Sequence, residues 1–185
     1  NLLEGRFVCM RPSSDISQEK SFIAAPEAGK HKDAKFGTHH AKDAWHLFHT
    51  RGLDLDLFSS AIKLNTQYMH SIWFNLKVQR PVTLDEVIEK LQANRYVALT
   101  EKTMSSPIFS FGRDHGFFGR ILNQTVVSTP TLTVRDGHEI TGFCFTPQDG
   151  NALLSSIAAT AWLMYPETCE QRIHQFVNSY LFDEV

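Results

Sequence analysis

Asp136-Gly137 is the strongest local constraint in this chain, a type I′ hairpin signal. The pair stands between residues 131–135 (TLTVR) and the run HEITGFCF that begins at His138. A two-residue type I′ turn needs positive φ at both central positions, and its twist matches that of the strands it joins. An antiparallel hairpin is therefore expected here. Other segments read as strands by the same logic. Residues 5–11 (GRFVCMR) are apolar and bounded by Gly5 and Pro12; residues 57–64 (LFSSAIKL) and 68–78 (YMHSIWFNLKV) follow nearly end to end. In the last of these, the period of two sets His70, Ile72, Phe74, Leu76 and Val78 on one face. Met69, Ser71, Trp73, Asn75 and Lys77 take the other. Residues 95–100, 124–128 and 131–134 are further strands, the last two separated by Pro130.

Helical signals are fewer. Thr83-Leu84-Asp85-Glu86 is a capping box, and the helix it opens runs to about Ala93 with Val87, Ile88 and Leu91 on one side. Residues 106–115 read as a short helix ended by Gly116. Residues 151–164 form an amphipathic helix closed by Pro166, and residues 168–181 form another, with Ile173, Phe176, Val177 and Leu181 on its apolar side. Residues 12–50 show no clean period and read as a long functional connection. The fold class expected over residues 1–185 is α+β, a mostly antiparallel sheet with helices packed on one face.

Bulk properties narrow the function. A chain of 185 residues, 42% hydrophobic and 21% charged, is one globular domain able to bury a core. A net charge of −2 gives no general attraction to nucleic acid or anionic lipid. No apolar run approaches the roughly 20 residues of a membrane span. Cys9, Cys144 and Cys169 are far apart and odd in number, which excludes a disulfide framework and a CxxC metal site and fits a cytoplasmic protein. The chain begins Asn1-Leu2-Leu3-Glu4 without a methionine or a signal pattern, as expected of a piece of a longer chain.

Five of the nine histidines lie between His31 and His49, most densely in THHAKDAWH from Thr38 to His46. That stretch admits three readings. His39 and His40 with Lys42 can bind a phosphate through N–H donors. His39, His40, Asp43 and His46 can supply nitrogen and oxygen ligands to a metal, as in a metal-dependent hydrolase. Or the stretch is a solvated polar loop. His70 opens an apolar strand face, where a histidine is either a satisfied packing residue or a general base. Arg11 ends a strand before a long connection, a position suited to anion binding. Neither a Gly-x-Gly-x-x-Gly nor a Gly-x-Ser-x-Gly motif is present.

Taken in order, these pieces resemble one family. Arg11-Pro12-Ser13-Ser14-Asp15 is followed by His39-His40-Ala41-Lys42-Asp43, then Asn65-Thr66-Gln67-Tyr68-Met69-His70, the VTLDEVIEKL helix, Gly112-Arg113-Asp114 and the Asp136-Gly137 hairpin. The order resembles the C-terminal catalytic domain of archaeal-type phosphorylating glyceraldehyde-3-phosphate dehydrogenase, over nearly the whole chain. The resemblance implies that His70 is the catalytic histidine, and that Arg11, His39 and His40 hold the substrate phosphate, with Lys42 in the same motif. It implies NAD or NADP bound by a Rossmann half absent from these residues, a nucleophilic cysteine also outside them, no metal, and a homo-oligomer whose sheet makes subunit contacts. The partners implied are a phosphorylated small-molecule substrate or inorganic phosphate, with no nucleic acid and no membrane. Phosphate is expected to bind more tightly near pH 6 than near pH 8, because protonated histidines bind anions best.

The chain also departs from the family. Pro12 replaces the second arginine of an Arg-Arg pair, Asn65-Thr66-Gln67 replaces Pro-Thr-Thr, and Thr146-Pro147-Gln148 lacks the family's late histidine. These departures leave a second reading in place, a non-catalytic descendant that serves as an oligomerisation or anion-binding module.

Overall fold

The computed structural model describes residues 1–12, 25–65, 69–116 and 122–185. Ser13, Ser14, Asp15, Thr66, Gln67 and Tyr68, named above, lie outside that description, as do the side chains of Gln148 and Phe176.

Seven strands among the described residues form one sheet. In chain order they are β1 (Leu2–Pro12), β2 (Glu27–Ala28), β3 (Asp56–Leu64), β4 (His70–Val78), β5 (Val97–Thr100), β6 (Thr125–Arg135) and β7 (Glu139–Thr146). Side by side they run β2-β3-β1-β4-β7-β6-β5. The pairs β1–β3 and β5–β6 are parallel, and the other four pairings are antiparallel. The Asp136-Gly137 turn has φ of 49° and 70°, both left-handed as a type I′ turn requires, and Val134 faces Ile140 across it. Residues 124–128 and 131–134 are one strand rather than two. Its register slips between Ser128 and Thr133, and Pro130 sits within that slip, where a missing amide proton breaks no ladder bond.

Cross-strand partners share a face, and successive residues along a strand do not. Phe74, Val78, Ile140, Cys144, Val127 and Leu99 therefore form one buried face, onto which helix α2 (Leu84–Gln92) lays Val87, Ile88 and Leu91. The capping box at Thr83 and Glu86 is formed as expected. The helix α1 (His39–His49) packs further along the same face, through Ala41, Ala44 and Trp45 against Leu57 and Phe7. It occupies part of what the sequence presents as a loop. Helix α3 (Ser105–His115), ended at Gly116, covers the opposite face, where Ile108 meets Ala98, Val126 and Phe145. The expectation of helices on one face is thus corrected. The reason lies in β5 and β6: Val97-Ala98-Leu99 and Val126-Val127 are apolar at every position, so both faces need cover.

Helices α4 (Gln148–Met164) and α5 (Cys169–Val177) pack on each other through Leu154, Ala158 and Ala161 against Ile173 and Val177. A 3-10 turn, Asn178–Tyr180, follows α5 where a longer helix was expected. The end of α4 leaves Trp162, Leu163 and Met164 between 60% and 74% exposed. Among the described residues, no helix is long and apolar enough to cross a membrane.

Candidate functional site: an anion cradle at one end of the sheet

The cradle is built on Ser59. This residue sits in β3 with no exposed surface, and the chain before α1 runs alongside it. Its amide donates to the Phe36 carbonyl at 3.0 Å, and its carbonyl accepts from the Thr38 amide at 3.1 Å. Such a close approach requires Gly37. Its φ is +71°, and a Cβ there would stand 2.3 Å from the Ser59 carbonyl oxygen. Past the glycine, Thr38 is extended and α1 begins at His39. Ser59 Oγ accepts the Ala41 amide at 3.0 Å, so the third amide of α1 is capped from the sheet. Thr38 Oγ1 makes no cap bond to its own helix. It lies 2.7 Å from Ser59 Oγ and 3.0 Å from His40 Nδ1.

The other walls come from the sheet. Arg11 of β1 pairs with Lys63 of β3. The β1–β4 register runs to Met10 opposite Ser71, and one step further sets Arg11 opposite His70. His70 in turn faces Thr146 of β7, whose hydroxyl is 3.4 Å from Thr125 of β6. Lys63, Arg11, His70, Thr146 and Thr125 thus form a polar row across the end of the face whose middle is the apolar core. His40 reaches toward this row from α1. Its pKa is lowered from 6.5 to about 4, first by burial, then by His39, Arg11 and His70, with Asp43 opposing. Burial lowers the pKa of half-buried His70 as well, with Arg11 the second cause. Arg11, His40 and His70, from three separate elements, are therefore within electrostatic reach of one another.

His39 is exposed and stacks on His40 with ring centroids 4.0 Å apart. Lys42 is exposed and its amine is 3.8 Å from Asp33, so it adds charge beside the cradle rather than a wall of it. Helical spacing puts His39, Asp43 and His46 on one side of α1, while His40 turns in toward Thr38. Among the described residues, no three His, Cys, Asp or Glu side chains converge as a metal site would need.

Two of the three thiols are sealed in the sheet core. Cys9, one position further along the Arg11 face, is 5% exposed, and burial raises its pKa, with Arg11 opposing. Cys144 is pushed up to about 12, chiefly by burial and then by Cys9. Cys169 lies on α5 and is partly exposed.

A guanidinium with neighbouring neutral imidazoles offers N–H donors to an oxyanion. With its pKa lowered to about 4, the His40 ring is neutral between pH 8 and 6 when no anion is bound. Reasoning from the sequence did not find Lys63, Thr146, Thr38 or Ser59. The available signal was parity: Ser59 and Lys63 are an even number of residues apart in one strand, and Thr38 is the hydroxyl beside the histidine pair.

No family model matches this chain, and no curated protein matches it. A functional reading therefore stands on these residues and their geometry.

Proposed function

We propose that the chain is the catalytic, phosphate-binding half of an NAD(P)-dependent, aldehyde-oxidising dehydrogenase resembling archaeal-type glyceraldehyde-3-phosphate dehydrogenase. The observation that carries this reading is that Arg11, His40 and His70, from β1, α1 and β4, lie within electrostatic reach of one another at one end of one sheet face.

In this reading Arg11 supplies the charge and forked donors for a substrate phosphate, and His39 and His40 add imidazole N–H groups. Lys42 contributes longer-range attraction. His70, neutral because burial and Arg11 both disfavour its charged form, is the general base that takes a proton from a thiol and later returns it. In this reading the thiol belongs to the other half: Cys9 and Cys144 are sealed in the core, and Cys169 lies on α5, which contributes none of Arg11, His40 and His70. In this reading the dinucleotide is held by a Rossmann half outside these residues and would supply the hydride acceptor there.

Two apolar surfaces support the partners that this reading requires. Exposed Trp162, Leu163 and Met164 suit docking of the Rossmann half. Val8, Trp73 and Phe143 form a cross-strand row that joins no core cluster among the described residues, as suits a homo-oligomer in the cytoplasm. One observation favours the alternative, a non-catalytic oligomerisation or anion-binding module: Thr146 faces His70 where the family has a histidine-bearing segment.

The test is a calorimetric titration with inorganic phosphate at neutral pH. Arg11→Gln should weaken binding about tenfold or more, the worth of a charge-assisted bond. Absence of binding, or binding indifferent to Arg11, defeats the reading. The chain alone should oxidise no aldehyde with NAD or NADP. Turnover that survives purification and disappears in His70→Asn would overturn the placement of thiol and cofactor outside these residues.

A further inference from the structure

The structure assigns Ser59 and Thr38 a shared role as positioning residues: they hold His40 as the neutral tautomer with its proton on Nε2, a fixed hydrogen-bond donor for an oxyanion. The inference deepens the anion-site reading and rests on it for the ligand, while the tautomer itself rests on the hydrogen-bond chain.

The chain has a direction. Ser59 is fully buried and its Oγ already accepts the Ala41 amide. Its own O–H must donate, and Thr38 Oγ1, 2.7 Å away, is the acceptor at hand among the described residues. Having accepted that proton, Thr38 gives its own to the atom 3.0 Å away, His40 Nδ1. A nitrogen that accepts cannot carry a proton in the neutral ring, so the proton sits on Nε2. Full reversal would leave the Ser59 proton sealed without an acceptor, which disfavours it roughly ten- to a hundredfold. The other arrangement, in which Thr38 Oγ1 accepts from both Ser59 and His40 Nδ1–H and gives its own proton to solvent, is the one the spectrum below distinguishes.

Two independent features agree. A threonine at the N-cap ordinarily accepts the third amide of its helix. Here Ser59 takes that duty, and Thr38 is released for the ring. Among the described residues, the charged and titratable groups acting on the ring are Arg11, His39 and His70, with Asp43 opposing. A second positive charge is disfavoured there, so His40 serves an anion as a dipolar donor beside the Arg11 cation. Fixing the tautomer in advance removes the cost of choosing it when phosphate arrives.

The test is a two-bond proton–nitrogen correlation spectrum of nitrogen-15-labelled protein, with His40 assigned through His40→Gln. Between about pH 6 and 8, His40 should give the Nε2–H pattern. Thr38→Ser should keep it. Thr38→Val, which retains shape but not the hydroxyl, should mix the tautomers and weaken inorganic phosphate binding about three- to tenfold. An Nδ1–H pattern in the unmodified protein overturns the inference, as does a pattern unmoved by Thr38→Val. The unmodified spectrum decides the tautomer whatever the fate of the variants. If the tautomer is as expected but phosphate ignores Arg11→Gln, the anion-site reading falls and the positioning role of Thr38 and Ser59 stands.

Discussion

Helices α1 and α2 each follow an extended threonine, and in each the third amide meets a hydroxyl, at 3.0 Å in α1 and 3.2 Å in α2. In α2 the hydroxyl is that of Thr83 itself, and Glu86 returns a bond of 2.7 Å to the Thr83 amide. In α1 it is Ser59, brought from a strand that follows the helix in the chain. One helix is fastened to itself and the other to the sheet. The start of α2 can form from local residues, whereas that of α1 is defined only once β3 is in place. A binding site hung on α1 therefore inherits the rigidity of the sheet, and its geometry is as good as the joint at residues 36–38.

The sharpest way to break this contrast is to break the joint. Gly37→Ala forces a left-handed φ on alanine and drives a methyl to 2.3 Å from the Ser59 carbonyl. Together these should cost about 3–5 kcal/mol. Gly52→Ala is the control. Its φ is +73° but nothing lies within 4 Å of the added carbon, so it should cost only about 1–2 kcal/mol. Urea unfolding midpoints of the two variants measure the difference. Equal losses would mean that the joint does not hold α1 to the sheet.

Protons give a gentler probe of the same helix. His40 stays neutral in the fold down to about pH 4 but protonates near 6.5 when the chain unfolds. Between those values the unfolded state binds the extra proton. Stability is therefore full above about pH 6.5 and falls as the pH drops toward 4. The lowered pKa of His70 adds to the trend in the same direction. Solvent reaches half of the His40 ring, which reduces the ideal linkage value to about 1–2 kcal/mol. Unfolding midpoints between pH 7 and 4 should fall less steeply in His40→Gln. Parallel curves would show that the ring is not held neutral by its surroundings.

The same contrast explains which parts could be read in advance. The α2 cap, the Asp136-Gly137 turn and the alternation through His70–Val78 are each carried by contiguous residues, and the structure contains all three. Residues 39–49 (HHAKDAWHLFH) carry little apolar periodicity, and their helical state depends on Phe36, Leu55 and Leu57 receiving Ala41 and Trp45. Nothing local announces a cap twenty residues downstream. Arg11, His39, His40 and His70 could be named from residue type and resemblance. Their assembly could not, because it depends on β4 pairing antiparallel and β3 parallel to the two sides of β1. Lys63 and Thr146 enter the row only through those registers. The placement of α3 on the second face was not expected, although Ala98 and Val126 make that face apolar just as Leu99 and Val127 do the first.

The smallest expected effect separates the two threonines directly. Thr83→Ala removes the acceptor for the Glu86 amide and half of a reciprocal box, and should cost about 1 kcal/mol in an unfolding titration. Thr38→Ala occupies the same helix position and by that rule should cost as much. The structure argues otherwise. The Thr38 hydroxyl caps nothing in α1, and the Ala41 amide keeps its bond to Ser59. What Thr38→Ala removes is the acceptor for the Ser59 proton and the donor to His40 Nδ1. In the variant the vacated, half-exposed Thr38 position admits a water that takes the Ser59 proton, an exit closed while the threonine side chain is present, so the net loss should stay below about 0.5 kcal/mol. The change should instead appear in phosphate affinity, where Thr83→Ala has no effect. If the two variants lose equal stability, Thr38 acts as an ordinary cap and the distinction between the helices is one of distance alone. If Thr38→Ala loses affinity and almost no stability, the threonine beside the histidine pair serves the site rather than the helix.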